Sequence, residues 1–200
     1  MALSTSRVAF VGALSTVLLG CLLGCSAEGK QQPDATVSAS PSASAPAAVP
    51  AQVRVGKVRG FLTAAQQQKA VSDVGAVVDS WIEDAWVAGE WPRAVGDVWG
   101  AFTPGAAEQA RAEPELTSAA HYAERVDSVR PTRRDVSVDL FARQGVTHGA
   151  TARVTVNLSV TPIDPAAGEK QRIALRGRLF LTPEDGGWKI FGYTLARGGW

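Results

Sequence analysis

The sequence predicts an α+β domain, with N-terminal helices packed on a curved, mostly antiparallel four-stranded sheet. Three observations carry this. Apolar residues recur at spacings of three and four from Val71 to Ala85, behind a helix-capping pair formed by Thr63 and Gln66. Four segments of the C-terminal half alternate apolar and polar residues, the period of a strand with one face buried. The helical patterns come first and the strands follow them in a run, the order of an α+β chain rather than of alternating βα units.

The chain of 200 residues opens with an apolar run over residues 8–23, preceded by one positive charge, Arg7. A run of this size suits the apolar core of a signal peptide and is short for a membrane span, which needs about 20 residues. Ser4, Thr5 and Ser15 dilute the segment, which weighs against the alternative of an uncleaved signal anchor. The run ends in Leu22-Leu23-Gly24-Cys25: two aliphatics, a small residue and a cysteine. This tetrapeptide resembles the lipobox of bacterial lipoproteins. The resemblance implies that residues 1–24 are removed as a signal peptide and that Cys25 carries a diacylglyceryl thioether. The membrane is then a partner through that lipid, of the palmitate class, and the protein sits on the outer face of the cell membrane. Two acyl chains anchor stably where one holds only marginally. Leu18-Leu19-Gly20-Cys21 repeats the pattern, but cleavage there leaves Leu22 and Leu23 beside the lipid, whereas polar Ser26-Ala27-Glu28 follows Cys25.

From residue 26 to about residue 52 the chain is dominated by Ser, Ala, Pro, Gln and Thr, with Pro33, Pro41, Pro46 and Pro50 spaced through it and no aromatic. Such a segment cannot bury enough apolar surface to offset its ordering entropy, so a flexible tether is expected. Residues 53–59 read either as a short strand or as the end of the tether. The expected organisation is a signal peptide over 1–24, a lipidated N-terminus and tether over 25–59, and one domain over 60–200. Both cysteines, Cys21 and Cys25, lie in the targeting segment, so the domain has no disulfide and must hold together by its core. At about this size a domain buries roughly two-thirds of its unfolded surface. The formal charge of +1 falls to zero once Arg7 is removed, which gives no concentrated basic footprint for nucleic acid.

The first helix starts at Thr63, with Val71, Val74, Val78, Trp81 and Ala85 as its apolar stripe and Val77, Ile82 and Trp86 widening it. Asp73, Asp79, Glu83 and Asp84 are expected on its wet side, and Gly89 with Trp91-Pro92 ends it. Trp81, Trp86 and Trp91 are five residues apart, so each is turned about 140° from the last and they cannot line one binding face; core packing is expected. Residues 97–102 suggest a helical turn. Thr103-Pro104 then supplies an N-cap and a first-turn proline for a modest helix that Pro114 interrupts.

Strands are expected over residues 134–142, 150–160, 171–181 and 188–196. In the second, Ala152, Val154, Val156, Leu158 and Val160 alternate with Thr151, Arg153, Thr155, Asn157 and Ser159. In the third, Ile173, Leu175, Leu179 and Leu181 face inward and Arg172, Arg176 and Arg178 outward. Residues 183–187, Pro-Glu-Asp-Gly-Gly, form a tight reversal into the last strand.

Helices followed by a sheet closing over the first of them, ending in Trp188-Lys189-Ile190-Phe191-Gly192-Tyr193, resemble the cone-shaped NTF2-like (cystatin-like) domains. Arginine well in excess of lysine and abundant alanine fit a GC-rich, actinobacterial-type source. With the lipobox and tether, the chain resembles an actinobacterial envelope lipoprotein akin to the Mce-associated proteins, which typically carry a true transmembrane helix where a lipid would serve here. The superfamily has no shared catalytic signature, so fold alone selects no function.

Enzymes of that fold place an acid or base with a tyrosine in the mouth of the cone. The candidates here are Asp135, Asp139, His121, His148, Tyr122 and Tyr193. Asp135 and Asp139 fall on the polar parity of their strand and are expected to be solvated carboxylates. His121 and Tyr122 read as an exposed connector, and His148 as part of a hairpin loop over residues 145–149. No catalytic residue is assigned, and neither a metal cluster nor a cofactor motif is expected. Arg172, Arg176 and Arg178 share a sheet face that Arg153 can join, either as a solvated face balanced by Asp135 and Asp139 or as a surface for a partner or an anionic headgroup. The leading expectation is a non-catalytic, lipid-anchored envelope protein that docks a protein partner as an accessory of an envelope assembly. Binding of a small apolar ligand in the cone is the second reading, and an isomerase or dehydratase the third.

Overall fold

The computed structural model describes residues 49–199. Cys25, the signal-peptide segment and residues 26–48 of the expected tether lie outside the described residues.

One long helix packs on a five-stranded, mostly antiparallel sheet. Strand β1 (Gln52–Arg59) precedes helix α1 (Ala64–Ile82), which a turn of π-helix (Glu83–Val87) prolongs. Helices α2 (Pro104–Ala112) and α3 (Pro114–Thr117) and a 3-10 turn (Ala120–Tyr122) lead to the remaining strands. These are β2 (Val126–Arg143), β3 (Val146–Pro162), β4 (Gln171–Glu184) and β5 (Gly187–Gly199). Spatial order follows chain order, antiparallel from β2 to β5 and parallel between β1 and β2.

The sheet thus has five strands where four were expected, and β1 is the difference. Of the two readings of residues 53–59, the strand is the one found, so the domain begins before residue 60. Its signal is weak because β1 is an edge strand with nearly every residue exposed, and because a bulge between Val55 and Val58 breaks its alternation. Its pairing with β2 is parallel because α1 intervenes, and a parallel neighbour needs a long crossover. Gly75 lets β1 come close to α1: a β-carbon there would lie 2.7 Å from Val53 Cγ1.

Helix α1 begins with the expected capping box, Gln66 N donating to Thr63 Oγ1 at 3.3 Å and Thr63 N to Gln66 Oε1 at 2.8 Å. Its stripe Val71, Val74, Val78 and Trp81 is buried, as are Ile82, Ala85 and Trp86 beyond it. These meet Val136, Val138 and Leu140 of β2, Val154, Val156 and Leu158 of β3, and Leu175 and Leu179 of β4 in one core. Trp81 and Trp86 are core residues and Trp91 packs at its margin, as their spacing requires. Thr117 ties two tryptophans into place, its carbonyl accepting from Trp81 Nε1 at 3.1 Å and its Oγ1 from Trp99 Nε1 at 3.2 Å.

Two of the four acids assigned to the wet side of α1 have a partner on the sheet that the helical pattern does not show. Asp73 pairs with Lys69, while Asp79 and Glu83, 39% and 43% exposed, also receive Arg134, at 3.1 and 2.6 Å. Arg134 occupies an inward position of β2 and its side chain is only 5% exposed, so the two half-exposed acids supply the compensation that its buried guanidinium needs.

The strands run longer than their alternation showed, β2 and β3 in particular. Gln144-Gly145 and Asp185-Gly186, with φ of 52°, 78°, 49° and 79°, make two-residue turns of the type that matches the twist of a hairpin. The first of these corrects the loop expected over residues 145–149: the turn is finished at Gly145, and His148 is an exposed residue of β3.

Candidate functional site

Alternation gives the sheet a second face, opposite the one that α1 covers. On it, Arg153 of β3 lies directly across from Arg178 of β4, Arg176 opposite Thr155, and Arg172 opposite Ser159. All four arginines are exposed. The strand register therefore brings the four expected surface residues onto one face, as their parity implied.

Of the carboxylates expected to balance them, Asp139 does so for Arg153, while Asp135 pairs with Arg133 instead. Asp135 and Asp139 do point to this face, but their side chains are 17% and 20% exposed, so they are only partly solvated. Asp135 accepts from Arg133 Nε at 2.7 Å. Asp139 accepts from the backbone N–H of Lys57 at 2.7 Å and from Arg153 Nη2 at 3.0 Å. Glycine at position 56 permits this closure, since a β-carbon there would stand 2.1 Å from Asp139 Oδ1. Both acids are thereby committed, and neither Arg176 nor Arg178 has a salt-bridge partner among the described residues.

Strand β1 enlarges the cationic surface. Arg54 lies opposite Ser137 on the same face, and Lys57 and Arg59 follow along the edge. These three were missed as site residues because β1 was not placed in the sheet; the only signal was their alternation with Val53, Val55 and Val58. Near the hairpin end of the face, Phe141, Phe180 and Phe191 add aromatic surface: Phe141 is 40% and Phe191 54% exposed, and Phe180 lies 6.3 Å from Phe191 between ring centroids.

The residues considered for catalysis are not brought together. Tyr193 faces the core, edge-on to Phe102, on the side of the sheet away from Asp135 and Asp139. Burial first, and then its hydrogen bond to Glu113 Oε2 at 2.9 Å, push the Tyr193 phenol well above its ordinary range, so it is a fixed neutral donor. His121 and Tyr122 stack edge to face at 5.1 Å, with His121 exposed and 3.8 Å from Glu115. His148 lies on another strand. Among the described residues no group of His, Cys, Asp and Glu is placed to hold a metal ion. No helix among them is long and apolar enough to cross a membrane.

Two open recesses, of about 760 and 680 Å³, flank α1 and share Ala76, Val77 and Trp188. Burial lowers the Arg93 guanidinium at the edge of the first, with Asp84 opposing that shift. The volume between helix and sheet is filled instead by Val74, Val78, Trp81, Ile82, Leu140 and Leu179, each at most 1% exposed. The chain matches no protein-family model, no curated protein and no solved structure.

Proposed function

We propose that this is a non-catalytic, lipid-anchored protein of the cell envelope whose NTF2-like domain docks a protein partner through the open basic face of its sheet. The observation that carries the reading is the surplus of outward cations whose neighbouring carboxylates are already engaged by Arg133, Arg153 and the Lys57 amide. Guanidiniums spaced by strand geometry can each make paired hydrogen bonds to a partner's carboxylates, and a charged face sets orientation and encounter rate. The filled interior favours docking over an apolar ligand held in a cone. The NTF2-like reading draws on the long first helix laid on the sheet and on a closing strand that begins at Trp188. The anchor draws on the lipobox at Cys25.

Docking is tested by photo-crosslinking in intact cells, with the reactive group at Thr194, which faces outward opposite Arg178, and a control at Ser72 on α1. A discrete adduct is expected from Thr194 and none from Ser72. Adding Arg176→Glu should remove it while moving the melting temperature by no more than about 2 °C, as for a surface substitution. An adduct that survives Arg176→Glu, or one formed equally from Ser72, would transfer the reading to the recesses beside α1.

The anchor is tested separately. Mass spectrometry of the mature protein should find its first residue to be Cys25 bearing a diacylglyceryl group, and Cys25→Ala should leave an uncleaved precursor. An unmodified N-terminus, or cleavage elsewhere, would remove the lipoprotein assignment and leave the docking reading standing.

A further inference from the structure

At the hairpin end of the open face there is a recess of about 270 Å³ whose lining includes Lys57, Arg59, Arg153, Arg178, Phe141 and Phe180. One carboxylate, Asp139, also borders it, and that group already accepts from Arg153 and from the Lys57 amide. Arg59 lies over the Phe141 ring at 5.8 Å, and the Lys57 ammonium and Arg178 have no ion-pair partner among the described residues. Arg153 and Arg178 are direct cross-strand partners, an arrangement of like charges that destabilises a sheet unless an anion lies between them. The fold therefore keeps four cations from three strands around one small space, with two aromatic rings beside them.

We infer that this recess is a binding site for an organic phosphate, with the phosphate among Lys57, Arg153 and Arg178 and an apolar or aromatic body against Phe141 and Phe180. A phosphate monoester fits this set better than a carboxylate. Its near-dianionic charge matches the cation excess, and its three terminal oxygens can accept from three separate side chains, where a carboxylate offers two oxygens and one charge. The aromatic walls distinguish the site from a simple ion trap, because inorganic phosphate leaves them uncovered. The recess is smaller than the pockets of drug-sized ligands, which suits a headgroup or a compact phosphate ester. The inference does not rest on protein docking: Arg176, which tests docking, does not line the recess.

The test uses the full chain in dodecyl maltoside micelles at low ionic strength, with phenyl phosphate as probe and calorimetry as readout. Phenyl phosphate should bind at least about tenfold more tightly than inorganic phosphate, the aromatic contact making the difference. Arg178→Glu should weaken it by about tenfold or more, the loss of one charge-assisted contact, while the charge-matched Lys69→Glu on α1 leaves it unchanged. Phe180→Ala should erase the preference over inorganic phosphate. If Arg178→Glu does not fold, Arg178→Gln and Lys57→Gln serve the same purpose, each expected to weaken binding. Doping the micelles with phosphatidic acid, whose headgroup is a phosphate monoester, separates the sources: displacement of phenyl phosphate identifies a lipid headgroup, and undisturbed binding identifies a soluble ester. Absence of binding, equal loss in Arg178→Glu and Lys69→Glu, or inorganic phosphate binding as tightly as phenyl phosphate would overturn the site.

Discussion

Val154→Asp is expected to unfold the domain or lower its melting temperature by about 10 °C or more, while Thr155→Asp stays within a few degrees of the parent. The two positions are neighbours on β3 with opposite parity. Val154 is 2% exposed, with Val136 and Gly177 as its cross-strand neighbours, so a carboxylate there is desolvated without a partner. Thr155 is on the open face between Asp135 and Arg176, where a new aspartate meets one charge of each sign. Val156→Asp should be milder than Val154→Asp even though Val156 is fully buried, because it faces Arg134 across the β2–β3 ladder and the Arg134 Nε is buried without a hydrogen-bond partner. Thermal unfolding of the full chain for the three variants reads the register directly. Equal melting temperatures for Val154→Asp and Thr155→Asp would reject it, and a Val156→Asp as damaging as Val154→Asp would mean that Arg134 cannot reach across.

What was legible in the sequence was whatever repeated. The capping box and the apolar stripe fixed α1, because a helix end and a buried face each demand particular residue types at particular spacings. Alternation located β3 and β4 and placed Arg172, Arg176 and Arg178 on one face, since a strand allows only two directions. Strand β1 was blurred for the converse reason. It is short, exposed and bulged at Gly56, and it pairs with residues far along the chain, so no local pattern required it.

The same locality explains the ion pairs that the pattern does not show. Asp79 and Glu83 sit beside the apolar stripe of α1 and are 39% and 43% exposed, and periodicity gives no sign that each also receives Arg134. Likewise Asp135 and Asp139 have the outward parity that was read, and yet they are held by Arg133, by Arg153 and by an amide of β1. Which partner covers a charge is tertiary information, available only once the strands are in register. The aromatic and basic recess is the extreme case, because its lining comes from β1, β2, β3 and β4 at once.

The second large effect follows from Arg134, which bridges β2 to the end of α1. Asp79→Ala combined with Glu83→Ala removes both partners at 3.1 and 2.6 Å and leaves a guanidinium whose side chain is 5% exposed without compensation. Breaking a buried pair from one side costs about 3–5 kcal/mol, and because the two acids are themselves 39% and 43% exposed, water can reach part of the vacated space and reduce this to about 2–4 kcal/mol. Adding Arg134→Met to the double variant should recover most of the loss, since a flexible apolar chain of similar length fills the site and the unpaired charge is gone. Denaturant unfolding of the parent, double and triple variants measures both steps. If the triple variant were no more stable than the double, the cost would lie in lost packing at the end of α1 rather than in the stranded charge, and Arg134 would be a spacer there rather than an ionic clasp between helix and sheet.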